Sequence, residues 1–482
     1  MGHIDHGKST LLDFIRKTNV TEGEVGGITQ HLSAYQIEKE TPDGKRFITF
    51  IDTPGHAAFQ AMRERGASVA DIAILVVSAE DGVKPQTLEA LKAIKETQTP
   101  FVVAINKIDK PNADIEKTKA NLAENEVYLE NYGGNIPFAA ISAKTGTGIP
   151  ELLETILLLA DTEGMKSDPE GSAEGVVIES HLDGKRGNAA TLIVKKGTLQ
   201  TGEFVVAGKV FAPLRVVENF LGEKIKSASA GDPVAVTGWS ELPAVGSAFS
   251  LVEKKKDAEA LVLERKNAEK KSTNQEISTD QRFLIPIAVK ADTAGTLEAV
   301  LQEIKKCETE RAGFRVVLKD AGPISENDVK MLSGTEGGLI VGFGVKADAK
   351  GKDLADRNGV AIASFDIIYK LAEWLTEEVS RRTPKVTTEE VRGKARILKV
   401  FSSTKDRQVI GGKVTEGQIG TGDKIRVLRR GTEIVRGKIV GLEQQRAKVG
   451  EVAEGSECGI LTEAKLPIAP GDDIECLVLV EK

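Results

Sequence analysis

Gly2–Ser9 reads GHIDHGKS, a glycine, four residues, then Gly-Lys-Ser. The pattern is that of a phosphate-binding loop. Glycine lets the backbone curl so that several N–H groups of the stretch Gly2, Asp5, His6, Gly7, Lys8, Ser9 and Thr10 face one anion. Lys8 can reach the terminal phosphates, and the Ser9 hydroxyl can ligate a divalent cation. Taken alone, the pattern is also met as a Gly-rich turn before a helix. The segments downstream decide between the two readings.

Residues 1–165 alternate short apolar runs with helical spacing. RFITFIDTPG (46–55), IAILVVSAEDG (72–82), FVVAINKID (101–109) and PFAAISAKTG (137–146) each read as a strand and its loop. VKPQTLEALKAIKET (83–97) and IPELLETILLLAD (149–161) read as helices. This rhythm predicts a mostly parallel sheet with helices on both faces. Each strand then ends in residues suited to one part of a nucleotide. Asp52 can hold Mg²⁺ through water, and the Gly55 N–H can meet a γ-phosphate. Asn106, Lys107 and Asp109 follow the third run. A carboxylate there can accept hydrogen bonds from N1 and the 2-amino group of guanine, which adenine cannot supply, so a site built on them rejects adenine. Ser142, Ala143 and Lys144 complete the base pocket. Four such motifs in this order, each at a strand end, favour a GTP/GDP site over a chance turn. Thr29, in GGITQH (26–31), is a second hydroxyl for Mg²⁺. His56 directly follows the Asp-Thr-Pro-Gly turn, where GTPases position the attacking water, and is the candidate catalytic residue.

The remaining chain changes character five times. A polar linker, EGMKSDPEGSAEG (163–175), leads into short β runs with Gly turns over 173–253, a small β-barrel. Residues 254–281 are dense in charge and read as a solvated connector. Residues 282–364 form a second α/β unit, 365–383 a long helix stopping before Pro384, and 384–482 a second barrel. KKGTLQTGEFVV and VTEGQIGTGDKIRV share a phrase between the barrels, through duplication or through the same turn chemistry used twice.

Bulk properties agree with this division. A chain of 482 residues exceeds one core. The net charge of −7 does not advertise nucleic-acid binding, though it leaves local basic patches possible. No apolar run reaches the roughly 18 residues of a membrane span, and the start lacks the charged and apolar regions of a signal peptide. Cys307, Cys458 and Cys476 are too dispersed for a disulfide framework or a zinc pattern, which suits a reducing cytoplasm.

GHIDHGKSTLLD, GEVGGITQHLSAYQI, the run ITFIDTPGHAAFQAMRERGASVADIAILVVSAEDGVKPQTLEA and NKIDKP together resemble the bacterial translation initiation factor 2 family of translational GTPases. The resemblance continues through GNAATLIVKKGTLQTGEFVVAG, VKADTAGTLEAV, VTEG and SECGI, and so covers essentially the whole chain. It implies a multidomain α/β and β architecture: P-loop GTPase domain, β-barrel, α/β/α domain, long connecting helix and terminal barrel. It also implies a ribosome-dependent GTPase that brings formylmethionyl initiator tRNA to the small ribosomal subunit and promotes joining of the large one. Other initiation factors would be its partners, and the chain itself a cytoplasmic monomer that does not engage a membrane. In such proteins the terminal barrel reads the formylated amino acid, and Glu457, Cys458 and Gly459 match its motif; Arg429, Arg430 and Arg446 are candidate RNA contacts, with solvated surface charges an equal reading. Two departures stand out. Gly412 occupies a position where relatives carry cysteine, and Glu443-Gln444-Gln445 replaces a basic-basic-aromatic run, which leaves formyl discrimination open. Relatives also carry an apolar strand ahead of the loop, so the chain reads as truncated just before it. A non-hydrolysing ribosome- or tRNA-binding module and another translational GTPase are the alternatives.

Overall fold

The computed structural model describes all residues except 17–28, 43, 167, 271–281, 336, 384–386, 405, 446 and 482. The chain divides into two compact units, Met1–Arg382 and Thr383–Lys482.

In the first unit, helix α1 (Lys8–Arg16) follows the glycine loop. Strands β1 (Ser33–Thr41) and β2 (Gly44–Asp52) form an antiparallel pair. Strands β3 (Ala73–Ser78), β4 (Phe101–Asn106) and β5 (Phe138–Ala140) form a parallel sheet in that order. AILVVS and FVVAIN are near-continuous apolar runs because both faces of this sheet are covered. Helices α2 (Gln60–Val69), α3 (Pro85–Thr97), α4 (Ile115–Glu124) and α5 (Ile149–Thr162) complete the segment. In α3, Pro85 presets the first turn, Ala90, Leu91 and Ile94 make the buried face, and Gln98 in a left-handed conformation stops it.

The strands of this segment form two separate sheets, in keeping with the missing strand that the sequence implies. Among the described residues β2 pairs only with β1, and a cleft of about 950 Å³ separates it from β3. Ile48, Phe50, Ile74, Val76, Leu11 and Ile156 line the cleft. At its end Met1 lies along the β3 edge, where its carbonyl accepts the Val76 N–H at 2.9 Å, and Gly2 bridges Val76 in parallel register.

The barrel that follows is antiparallel, from Glu174–Asp183 to Ala248–Val252. Val177, Leu192, Val194, Val205, Val236 and Phe249 fill it. Helix α6 (Lys255–Lys270) covers the described part of the charged connector. It is not solvated all round: Ala258 and Val262, one turn apart, dock on Val206 of the barrel. The rest of the connector, 271–281, lies outside the described residues.

The second α/β unit has four parallel strands, in the order 312–321, 283–291, 339–343, 361–365. Helices α7 (Ala294–Lys306), α8 (Glu326–Ser333), α9 (Ala349–Asn358) and α10 (Ile368–Arg382) accompany them. The helix expected over 365–383 is α10, and it packs on this unit through Ile368, Leu371, Leu375 and Val379. The same core contains Ala58, Phe59 and Met62 from the segment after the Asp52–Gly55 turn.

The C-terminal unit is a second antiparallel barrel in which Thr387–Ser403 pairs with both Arg407–Gly420 and Asp473–Glu481. Ile397, Ile410, Val427, Ile439, Ile460 and Cys476 fill it. The phrase shared by the barrels is a shared turn: Gly202 and Gly422 sit at φ 107° and 98°, a conformation open to glycine.

Two strand edges facing one cleft, lined by apolar side chains and at its margins by Lys8, Arg46, Asp52 and Lys195, are what an added parallel strand pairs with. Placing six to eight apolar residues ahead of Met1, about a normal strand length, should close it. We expect the melting temperature to rise by at least about 5 °C and GTP to bind more tightly. Thermal melting and nucleotide titration of the two chains compare them directly, and equal values would show that the cleft is inconsequential.

Candidate nucleotide site

The glycine loop folds as its spacing requires. Gly2 and Gly7 take φ of 141° and 82°. A β-carbon at Gly7 would lie 2.5 Å from the Asn106 amide nitrogen, so a larger residue is excluded. Lys8 opens α1, is buried, and donates to the His3 carbonyl at 2.6 Å. Burial draws its pKa down to about 8, with Asp52 opposing that shift. The hydroxyls of Ser9 and Thr29 meet at 2.8 Å, so the two candidate Mg²⁺ ligands converge although residues 10–28 separate them in sequence. Asp52, also buried, ends β2. Asp5 within the loop and Thr10 just after it are exposed.

His6 departs from a direct nucleotide role for its ring. The side chain is fully buried and turned to the Val76 carbonyl, 3.3 Å from Nδ1. Only its backbone is placed to serve the loop. Burial pushes the imidazole down to about 4.

The base end is joined to the phosphate end by one side chain. Asn106 donates through Nδ2 to the His6 carbonyl at 2.8 Å and accepts the Ala143 N–H on Oδ1 at 2.9 Å. Its side chain links the two loops. Asp109 is exposed and receives the Ser142 hydroxyl at 2.7 Å, which helps hold its pKa below the usual carboxylate range. Lys107 adopts a left-handed φ of 67°, with its ammonium 3.6 Å from Asp81. Lys144 is exposed beside them.

At the opposite end the Asp52–Gly55 turn approaches the loop closely. A β-carbon at Gly55 would meet Lys8 Nζ at 2.7 Å and Ile4 Cα at 3.1 Å, so only glycine permits this approach. His56 is buried and accepts the Ala58 N–H on Nδ1 at 2.8 Å. In the neutral ring Nε2 therefore carries the hydrogen. Burial lowers the pKa of His56, opposed by Glu303. Its ring meets that of Tyr369 edge-on, with centroids 4.2 Å apart.

Sequence reasoning missed Arg63. Its side chain is 1% exposed and donates to the carbonyls of His56 and Pro54 and to Glu89. It thereby clamps the turn that carries His56. One signal was available: Arg63 follows the apolar Phe59 by one helical turn, which puts a charge on the buried face. Tyr369 had no local signal, since it reaches the site from another domain.

In the C-terminal unit, Gly412 pairs with Cys458 and Glu443 with Gly459 across neighbouring strands. The two departures in sequence are thus brought to the motif itself. A β-carbon at Gly412 would lie 3.1 Å from the Arg396 carbonyl, so the backbone is close there. Cys458 is buried, and burial pushes its thiol to about 11. Arg429, expected to contact RNA, is engaged by both carboxylate oxygens of Asp472 at 2.8 Å. Arg430 sits in a turn at φ 52°. Arg446 lies outside the described residues.

Residues 1–162 match the Elongation factor Tu GTP binding domain, 172–252 match Elongation factor G domain 2, and 259–376 match Translation-initiation factor 2. Translation initiation factor IF-2 of Sinorhizobium medicae is 41% identical over 99% of this chain and 55% of its own length. That of Aquifex aeolicus is 40% identical over 99% and 60%, and that of Desulforamulus reducens 39% over 99% and 49%. The chain belongs to the translation initiation factor 2 family. It spans about half the length of the curated relatives it matches. Within this family-type architecture, the loops at the ends of β2, β4 and β5 and the glycine loop converge on one site. No helix among the described residues is long and apolar enough to cross a membrane.

The buried His6 makes a pH test. Its folded pKa of about 4 lies below the unfolded value of about 6.5, so the unfolded chain binds more protons between them. This contribution to stability is complete above about pH 6.5 and is lost as pH falls toward about 4. Denaturant titrations across that window should show a shallower decline for His6→Asn than for the parent.

Proposed function

We propose that the chain binds GTP with Mg²⁺, hydrolyses the nucleotide on the ribosome, and acts in translation initiation by bringing formylmethionyl initiator tRNA to the small subunit and promoting subunit joining. The observation that carries this reading is the Asp109 carboxylate, exposed and oriented by Ser142, tied through Asn106 and Ala143 to the glycine loop. A guanine reader and a phosphate cradle are thus built as one frame. The buried lysine, the close Gly55 turn and the converging Ser9 and Thr29 hydroxyls fit a phosphate with its divalent cation. Ser9 and Thr29 would ligate the cation, with Asp52 holding it through water. Mg²⁺ would supply charge neutralisation on the phosphates. His56 would orient the water. With Nδ1 taken by Ala58, its Nε2–H donates a hydrogen bond to that water and does not remove a proton.

The site Glu457-Cys458-Gly459 would meet the aminoacyl end of the tRNA, with weaker preference for the formyl group because Glu443 lies beside Gly459. Further expectations are other initiation factors as partners, a monomeric state and a cytoplasmic location. One observation favours a second reading, a non-hydrolysing tRNA- and ribosome-binding module: the cleft reaches Lys8 and Asp52. Turnover measurements with ribosomes separate the two.

Asp109→Asn should weaken GTP binding and shift preference toward xanthine nucleotides, because the donor and acceptor at the base edge are exchanged. Equal GTP affinity in parent and variant would remove the assignment. His56→Ala should leave GTP binding nearly intact and abolish ribosome-stimulated hydrolysis. Normal turnover would mean that another group positions the water.

A further inference from the structure

The His56 ring is 8% exposed and enclosed. Its Nδ1 is taken by Ala58, Phe59 stands on one side with centroids 6.1 Å away, and Tyr369 closes another at 4.2 Å with the rings at 70°. An imidazole held this way reaches a new partner only if a wall moves. The walls differ in freedom. Phe59 is 1% exposed and belongs to the core of the second α/β unit. Tyr369 stands in the first turn of α10 and is 47% exposed. The corner that carries it touches the nucleotide site again: Gln30, next to Thr29, donates to the Asp366 carbonyl at 2.9 Å. Asp5 of the glycine loop adds to burial in raising the Tyr369 phenol pKa. Three segments of the site, at residues 5, 30 and 56, therefore bear on one corner of another domain.

We propose that Tyr369 is a positioning residue that parks the His56 imidazole, and that displacement of the Asp366–Tyr369 corner frees the ring to orient the attacking water. This rests on the reading of His56 as the water-positioning group. The coupling has a physical route. A change at Thr29 on nucleotide binding pulls on Gln30, and the Gln30–Asp366 hydrogen bond passes that pull to the start of α10. An aromatic edge contact is worth enough to bias such a two-state ring without locking it.

The test uses the full 482-residue chain. Tyr369→Ala should raise ribosome-free GTP turnover by about twofold to tenfold, the range one aromatic contact supplies. GTP affinity, read with a fluorescent GTP analogue, should not weaken, because a contact that opposes the nucleotide-linked displacement is gone, and the melting temperature should fall by no more than a few degrees. Tyr369→Phe keeps the ring and should restore the parental rate. An unchanged or reduced ribosome-free rate in Tyr369→Ala, with nucleotide affinity intact, overturns the proposal, and so does a Tyr369→Phe rate equal to that of Tyr369→Ala. The His56→Ala, Tyr369→Ala double variant should lose the gain. If it keeps the gain while His56→Ala alone abolishes ribosome-stimulated hydrolysis, this inference fails and the functional reading stands. If His56→Ala alone turns over normally on the ribosome, the functional reading fails and takes this inference with it.

Discussion

Phe59 and Met62 sit in the core of the second α/β unit, not in that of the domain whose chain supplies them. This constrains the molecule more than any other contact. The segment after the Asp52–Gly55 turn belongs by sequence to the nucleotide domain, and by packing to the sheet of strands 283–291 and 339–343. Large buried apolar side chains are costly to withdraw. The turn that approaches Lys8 at Gly55 is therefore anchored at its far end to another domain, and Arg63 fixes its carbonyls from the same helix face. A shift of the turn and a shift of that sheet are one event.

The electrostatics follow the same economy. Two cations near the glycine loop are buried and partnered internally: Lys8 by the His3 carbonyl, Arg63 by Glu89 and two carbonyls. Buried charge is tolerated when hydrogen-bonded and is expensive otherwise. Elsewhere opposite charges join domains, as the half-buried Arg65 does with Glu298 and the more exposed Lys195 with Asp71. Pairs open to solvent, such as the second, add little stability each. The apolar insertion carries the joint, and the ion pairs trim it.

Much of this was legible in the sequence because the motifs are local. The strands ending at Asp52, Asn106 and Ala140 are short apolar runs with a polar stop, and the loops after them carry the functional groups in consecutive positions. Family resemblance added the order of the domains. What could not be read lies in tertiary placement. His6 and Asn106 belong to nucleotide motifs, yet one ring turns inward and the other side chain joins two loops. Residues 254–270 read as solvated from their charge, but Ala258 and Val262 are enough to seat the helix on the barrel. The Tyr369 contact brings together residues from opposite parts of the first unit, for which periodicity has no signal.

The Asn106 bridge bears on how substitutions at this site will combine. One amide spans the His6 carbonyl and the Ala143 N–H, so the glycine loop, proposed to face phosphate, and the Ser142–Lys144 loop, proposed to face the base, share a strut. Free-energy changes from residues on the two loops will not sum as independent terms, because removing the strut changes the background against which each is measured. Damage at the base end will present as lost phosphate affinity, and the position of a residue in the motif order is a poor guide to which half of the nucleotide it serves.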